Sequence, residues 1–164
     1  MLYLLPINGQ VTLASDFQNE GIIIFQSAKL DLTATAAAGD PNLDNTSINL
    51  LNSAGDITLH IAFRSIQNVI LFNSTIGGVY GAEETVPLAG AFVGPDHTVT
   101  VYDHGDRFQI LIDYHTVKYY NKRSTTNATA VSYGTNVNQV ASPFSSTLAV
   151  ETYSSFANIV PRGA

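Results

Sequence analysis

Cysteine is absent from this 164-residue chain. That excludes a disulfide framework and any thiolate metal site, and it suits a reducing compartment. Charge is scarce as well: Lys and Arg number 7, Asp and Glu 13, for a formal net charge of −6. The longest basic run is Lys122-Arg123, so there is no electrostatic footprint for a phosphate backbone and nucleic acid is not an expected partner. No apolar run approaches the ~18 residues that a spanning helix needs, so membrane insertion is not expected either. The opening Met1-Leu2-Tyr3-Leu4-Leu5-Pro6 has neither the basic region nor the apolar length of a secretory signal. It reads better as a first strand. Without such a signal, the acceptor triplets Asn45-Thr46-Ser47, Asn73-Ser74-Thr75 and Asn127-Ala128-Thr129 are expected to stay unmodified. Sustained helical periodicity, internal repeats and a domain linker are missing too. Residues 1–164 therefore read as a single domain, long enough to bury a hydrophobic core without staples.

What is present is alternation. Short apolar-alternating or β-branched runs fall at 2–7, 10–14, 21–26, 29–33, 47–52, 56–64, 68–74, 84–88, 98–102, 107–112, 116–121, 129–133 and 147–160. Turn signals separate them, among them Asn8-Gly9, Ala54-Gly55-Asp56, Gly77-Gly78 and Gly94-Pro95-Asp96. Many short strands at regular spacing indicate an all-β sandwich or barrel. The Ala-rich stretch Thr33–Ala38 leads into Gly39-Asp40-Pro41 and reads as a loop. The first and last runs are both strand-like, so the two ends are expected to pair and complete one sheet.

The stretch 57–74 carries the chemistry. Successive side chains of a strand point to opposite faces. Ile57, Leu59, Ile61 and Phe63 thus share a core face, and Thr58, His60, Ala62 and Arg64 share the other. On the following strand Leu71 and Asn73 share a face while Ile70 and Phe72 oppose them. Joined as a hairpin, the two strands bring His60, Arg64 and Asn73 to one patch. Phe25, Phe63, Phe72 and Phe108 fall on inward faces, whereas Tyr80 sits in Gly77-Gly78-Val79-Tyr80-Gly81 with no core to enter. It is a candidate exposed stacking platform.

A hexose offers a ring of hydroxyls and a flatter face of C–H groups. Arg supplies several donors in a rigid fork, and His and Asn can each donate and accept. Each such bond replaces one to water, so its net value is about 1 kcal/mol, and discrimination comes from the buried group left unpaired when a hydroxyl points the wrong way. Glu83, three residues after Tyr80, is placed to hold Arg64 and to accept from a sugar hydroxyl. Glu83 and Thr85 would share a strand face, with Glu84 turned away.

These residues carry a family resemblance. His60-Ile61-Ala62-Phe63-Arg64, then Leu71-Phe72-Asn73, then Tyr80-Gly81-Ala82-Glu83-Glu84-Thr85 follow, in order and spacing, the His-x-Asn-x-Arg, Val-x-Asn and Trp-Gly-x-Glu-x-Arg segments of galectins. The run from Val101 to Ile110 is similar to mushroom members. The chain resembles the mushroom branch of the galectin family over nearly its whole length. The resemblance implies a jelly-roll sandwich of two antiparallel sheets and metal-free, cofactor-free, non-catalytic binding of β-galactosides of the lactose or N-acetyllactosamine type. The implied sugar-binding residues are His60, Arg64, Asn73, Tyr80, Glu83, Leu71 and Thr85. The implied partners are glycans and glycoconjugates, met by an agglutinating homodimer or homotetramer that lies in the cytoplasm or is exported without a signal peptide to an extracellular matrix or cell wall. Three departures stand out. Ala62 replaces an Asn, and mushroom members with Ala there draw an Asn from a preceding loop, which points to Asn42 first and Asn45 second. Tyr80 replaces Trp, keeping a π-face of smaller area. Thr85 replaces Arg, removing a donor usually aimed at the second sugar. A related branch without the stacking Trp binds chito-oligosaccharides and N-acetylated disaccharides, so a preference for N-acetylglucosamine-type glycans is the alternative.

A glycoside hydrolase on a similar sandwich would need two carboxylates about 5–9.5 Å apart across the bond, and Glu83 and Glu84 should face opposite ways. A structural sandwich without ligand would leave the polar patch as incidental surface. Asp103-His104-Gly105-Asp106 could be taken for a metal or acid/base cluster, but Gly among such residues marks a hairpin turn with solvated polar groups. His97 and His115 are expected at the surface.

Overall fold

The computed structural model describes residues 1–33, 45–136 and 142–159. Two antiparallel sheets of six strands stack face to face. In the first, β1 (Leu2–Pro6) is followed across the sheet by β14 (Thr147–Tyr153), β3 (Ile22–Gln26), β10 (Thr98–Asp103), β11 (Arg107–Ile112) and β12 (His115–Asn121). In the second, β2 (Gly9–Phe17) is followed by β13 (Ala128–Thr135), β4 (Thr46–Leu51), β5 (Ile57–Arg64), β6 (Val69–Asn73) and β9 (Glu84–Pro87). A small ribbon, β7 (Thr75–Ile76) with β8 (Val79–Tyr80), projects beside the second sheet.

Alternation decides which side of each strand is buried. Leu59, Ile61 and Phe63 of β5, Ile70 and Phe72 of β6, and Val99 and Val101 of β10 meet between the sheets with Phe25, Phe108, Ile110, Leu148 and Val150. Each fully buried side chain of this kind is worth about 1.5–3 kcal/mol. All four inward phenylalanines lie in this core. The ends do pair: β1 runs antiparallel to β14 from Leu2↔Glu151 to Pro6↔Thr147, and the terminal ammonium donates to the Thr152 carbonyl at 2.8 Å.

Two expected runs are shorter than alternation suggested. Within 29–33 only Leu30 bridges, to Phe144; the chain then turns because the Asp31 carboxylate accepts from the Thr33 N–H at 3.0 Å and its hydroxyl at 2.6 Å. The last strand ends at Tyr153, and Phe156–Asn158 form a 3₁₀ turn. The expected loop at Thr33–Ala38 falls, beyond Thr33, outside the described residues. The run Asp103–Asp106 is a turn, as read, with Gly105 at φ 92°. Asp103 is not solvated, however. It is 1 % exposed, accepts the Gly105 N–H at 2.7 Å and pairs with Lys122 at 2.7 Å.

Candidate functional site

The second sheet carries a polar lane across its outer face. The strand register lines up Ser132 of β13, Asn49 of β4, His60 of β5 and Asn73 of β6. One step along, Ser47, Ala62, Leu71 and Thr85 form the neighbouring row. At the β5–β6 end lies a hollow of about 260 Å³ lined by Asn45, His60, Arg64, Leu71, Asn73, Tyr80, Gly81 and Glu83. Seven of the nine residues singled out from sequence therefore line one hollow. Thr85 lies on the same face, opposite Leu71, but not among the lining residues. Asn42 lies outside the described residues. Leu71, 2 % exposed, is the apolar side chain of the floor, and its register partner Ala62 is fully buried.

His60 is 7 % exposed and its Nδ1 lies 2.6 Å from the Asn49 Oδ1. The Asn49 amide is turned that way because its Nδ2 donates to Ser132 Oγ at 3.1 Å and Ser47 Oγ at 3.4 Å. The imidazole thus carries its proton on Nδ1 and presents Nε2 as an acceptor. Burial, and secondly the charge of Arg64, push the His60 pKa down from 6.5 to about 4, so the ring is neutral near pH 7.

Arg64 does not pair with Glu83. Among the described residues its guanidinium makes no ion pair, and its Nε donates to Asn45 Oδ1 at 3.4 Å. The expected Arg64–Glu83 contact is absent because Glu83 precedes β9 and is exposed at the rim. Glu84 is the carboxylate that pairs, with Lys118 at 2.8 Å and Arg123 at 2.9 Å, across to the first sheet. It faces away from the hollow, as alternation required. The Lys118 hydrogen bond first, then Arg123, hold its pKa below the usual carboxylate range.

Asn73 is 2 % exposed and almost fully bonded. Its Oδ1 accepts from the Ser74 N–H at 2.8 Å and from Arg123 Nη1 at 2.8 Å, and its Nδ2 donates to the Gly81 carbonyl at 3.0 Å. One Nδ2 proton is left for a ligand. Arg123 also donates to the Ala82 carbonyl at 2.6 Å and lies over the Tyr120 ring at 5.1 Å. A Cβ at Gly81 would fall 2.6 Å from Arg123 Nη1, so a larger residue there would make the guanidinium shift.

Tyr80 is half-exposed at the rim, its ring 5.3 Å from that of His60 and edge-on to it. The ribbon that presents it turns through Gly77 and Gly78, both at positive φ (60° and 78°), as a type I′ hairpin requires. The Asp56 carboxylate clamps the turn, accepting from Gly77 N–H at 3.0 Å, Gly78 N–H at 2.8 Å and Thr75 Oγ1 at 3.2 Å. Those backbone bonds, Gly78 first, hold the Asp56 pKa below its ordinary value.

Sequence reasoning missed Asn49, Arg123 and Asp56. Asn49 and Asp56 sat on readable elements, but their partners come from other strands. Arg123 follows its partner Asn73 by 50 positions, beyond any local pattern.

A polar hollow on the outside of a sheet, with a ring at its rim and Glu83 as the sole carboxylate among the lining residues, has the architecture of a carbohydrate-recognition protein. The family model described as galactoside-binding lectin matches residues 3–141. Galectin-1 and Galectin-2 of Coprinopsis cinerea are 42 % and 40 % identical over 144 residues, covering 87 % of this chain and 90 % of each relative. An anti-tumor lectin of Cyclocybe aegerita is 38 % identical over 95 % of this chain and 98 % of its own. Among solved structures, Caenorhabditis elegans galectin LEC-6 superposes with a TM-score of 0.65 at 14 % identity, covering 93 % of this chain and 95 % of its own. Chicken Galectin 2 does so with 0.62 at 17 % identity, covering 88 % and 97 %. The chain belongs to the galectin family. It is a carbohydrate-binding lectin and, like the lectins of its family, not an enzyme.

Proposed function

We propose that the chain binds β-galactosides, without metal, in the hollow of β5 and β6. The observation that carries this reading is the Arg64 guanidinium. It sits half-buried beside a neutral acceptor, His60, and a single free amide proton on Asn73, without a carboxylate partner among the described residues. Hydroxyl oxygens satisfy its donors, and the His60 Nε2 accepts a hydrogen bond from a hydroxyl. Tyr80 covers the C–H face of the ring, Leu71 supplies apolar floor, and Glu83 and Asn45 reach from the rim. A second, larger hollow of about 440 Å³ shares Asn45 and continues along Ser47, Asn49 and Ser132, room for a longer glycan on the same face.

N-acetylglucosamine-type glycans are the second reading. It is favoured by Tyr80, whose smaller ring leaves space for an acetamido group, and by Thr85, which offers no guanidinium to a second sugar. A glycan array that includes lactose, N-acetyllactosamine and chitotriose, run in chelator, tests both. Strongest retention on the galactosides is expected. Retention on chitotriose alone would shift the specificity, and no retention on any glycan would overturn the reading. Strength in the cell would come from several modest sites on one homo-oligomer, agglutinating glycoconjugates in the cytoplasm or, after export, at a matrix or cell wall. Immunolocalisation checks that placement.

A further inference from the structure

A carboxamide can meet a ligand in two senses, because one end accepts and the other donates. For Asn73, turning the amide over is the difference between offering a hydroxyl an N–H and offering it an oxygen. Three neighbours of fixed polarity decide between them. Arg123 Nη1 and the Ser74 backbone N–H can only donate, and both reach Oδ1 at 2.8 Å. The Gly81 carbonyl can only accept, and it takes one Nδ2 proton at 3.0 Å. A reversed amide would set Nδ2 against two donors and Oδ1 against a carbonyl oxygen. Both lone pairs of Oδ1 are therefore engaged inside the protein, and the hollow is offered an N–H.

Arg123 is the side chain among these three partners, and it comes from the far side of the sandwich. It follows β12, a strand of the first sheet. Its guanidinium is held on every side. Nη2 donates to the Ala82 carbonyl at 2.6 Å and pairs with Glu84 at 2.9 Å. The Tyr120 ring lies 5.1 Å from its carbon, and the Tyr120 hydroxyl is 2.8 Å from Ser74 Oγ. Glu84 is held in turn by Lys118 at 2.8 Å. A planar fork serves Asn73, Ala82 and Glu84 at once; an ammonium, a compact point charge, would not. Arg123 is not among the residues that line the hollow, so it acts on a ligand through Asn73.

We propose that Arg123 is a positioning residue that sets the polarity of the sugar site. By pinning Asn73 as a donor, it makes the hollow select a glycan that presents an acceptor oxygen at that point. The inference rests on the β-galactoside reading and refines it. His60, the register partner of Asn73 across β5 and β6, is fixed in the opposite sense by Asn49. Two neighbouring positions of set and opposite polarity thus read which ligand oxygen accepts and which donates. Without Arg123, Oδ1 keeps only the Ser74 N–H, and the reversed amide comes within reach. Affinity and discrimination then fall together.

Calorimetric titration of the full chain with lactose, its monodeoxy analogues and the matching monofluoro analogues tests this. A C–F group can accept a hydrogen bond but not donate one; a C–H group in its place does neither. Arg123→Met should weaken lactose binding about tenfold. At one hydroxyl position, and there alone, it should also erase the advantage of fluorine over hydrogen that the wild type shows. Arg123→Lys keeps a donor for Oδ1 and should restore part of that advantage. Should Arg123→Met fail to fold, Glu84→Gln, which removes only an anchor of the guanidinium, should give the same pattern at smaller amplitude. Unchanged lactose binding in Arg123→Met overturns the inference, and so does a loss equal for every analogue, the mark of a merely structural role. Nuclear magnetic resonance of the sugar-free chain separates the two ideas. A scalar coupling across the hydrogen bond from Asn73 Nδ2 to the Gly81 carbonyl is expected in the wild type and absent in Arg123→Met; its survival there also overturns the inference. If that coupling depends on Arg123 but no galactoside binds the wild type, the galactoside reading falls and the positioning role stands.

Discussion

His60 is where burial is converted into chemistry. The ring is neutral because its site is dry and Arg64 lies beside it, and Asn49 fixes which nitrogen is left for the ligand. The same burial makes stability depend on pH. The folded pKa of about 4 lies below the ordinary 6.5, so as pH falls the unfolded chain takes up this proton first. The stabilisation is complete above about pH 6.5 and drains as pH falls from there through about 4. Between about pH 7 and about pH 4.5 the group should cost the native state about 2 kcal/mol. Urea unfolding at both pH values is expected to show that extra loss in the wild-type chain relative to His60→Gln; equal losses in the two would contradict it. At this scale the sequence was highly legible. Alternation brings His60, Arg64 and Asn73 to one patch, the Gly-rich run exposes Tyr80, the family's motif segments include Glu83, and all five line one hollow. The partners that orient them did not, because Asn49 and Arg123 act through contacts between strands. The notion that Glu83 secures Arg64 failed for a related reason: spacing gives the face of a residue but not the reach of its side chain.

Among the elements, the β7–β8 ribbon matters most to the site. Its arms are two residues long, too short for any period to register, though Gly77-Gly78 announced the turn. What holds it is Asp56, a residue of the preceding turn. On the proposed reading, Asp56→Ala frees the ribbon, lets the Tyr80 ring leave its place beside His60, and weakens sugar binding by roughly three- to tenfold, about 1 kcal/mol. In a Tyr80→Ala background the same change should cost almost nothing further. Calorimetric titration of the four chains of that cycle checks the coupling; additive losses would show that Asp56 acts elsewhere. The longer strands were legible because alternation in 57–64 and 69–73 leaves one arrangement that buries Leu59, Ile61, Phe63, Ile70 and Phe72 together. The run at 29–33 was misread because apolar alternation cannot reveal that Asp31 turns the backbone back on itself.

At the scale of the whole molecule, the two sheet exteriors have opposite characters. One is polar and concentrates Asn49, His60, Arg64 and Asn73; the other is apolar around Ile24, Leu111 and Phe156. Alternation disclosed the all-β class and the joining of β1 to β14. It could not disclose which sheet each middle strand joins, because both sheets draw on the same Val- and Ile-rich vocabulary and only three-dimensional pairing separates them. The account depends most on the claim that His60 and Arg64 grip the sugar directly. Calorimetric titration of lactose in chelator, into the wild-type chain and into His60→Ala and Arg64→Ala chains of unchanged circular dichroism, addresses it. Saturable binding by the wild type and its loss in both variants is the predicted result; undiminished binding in both would contradict the account.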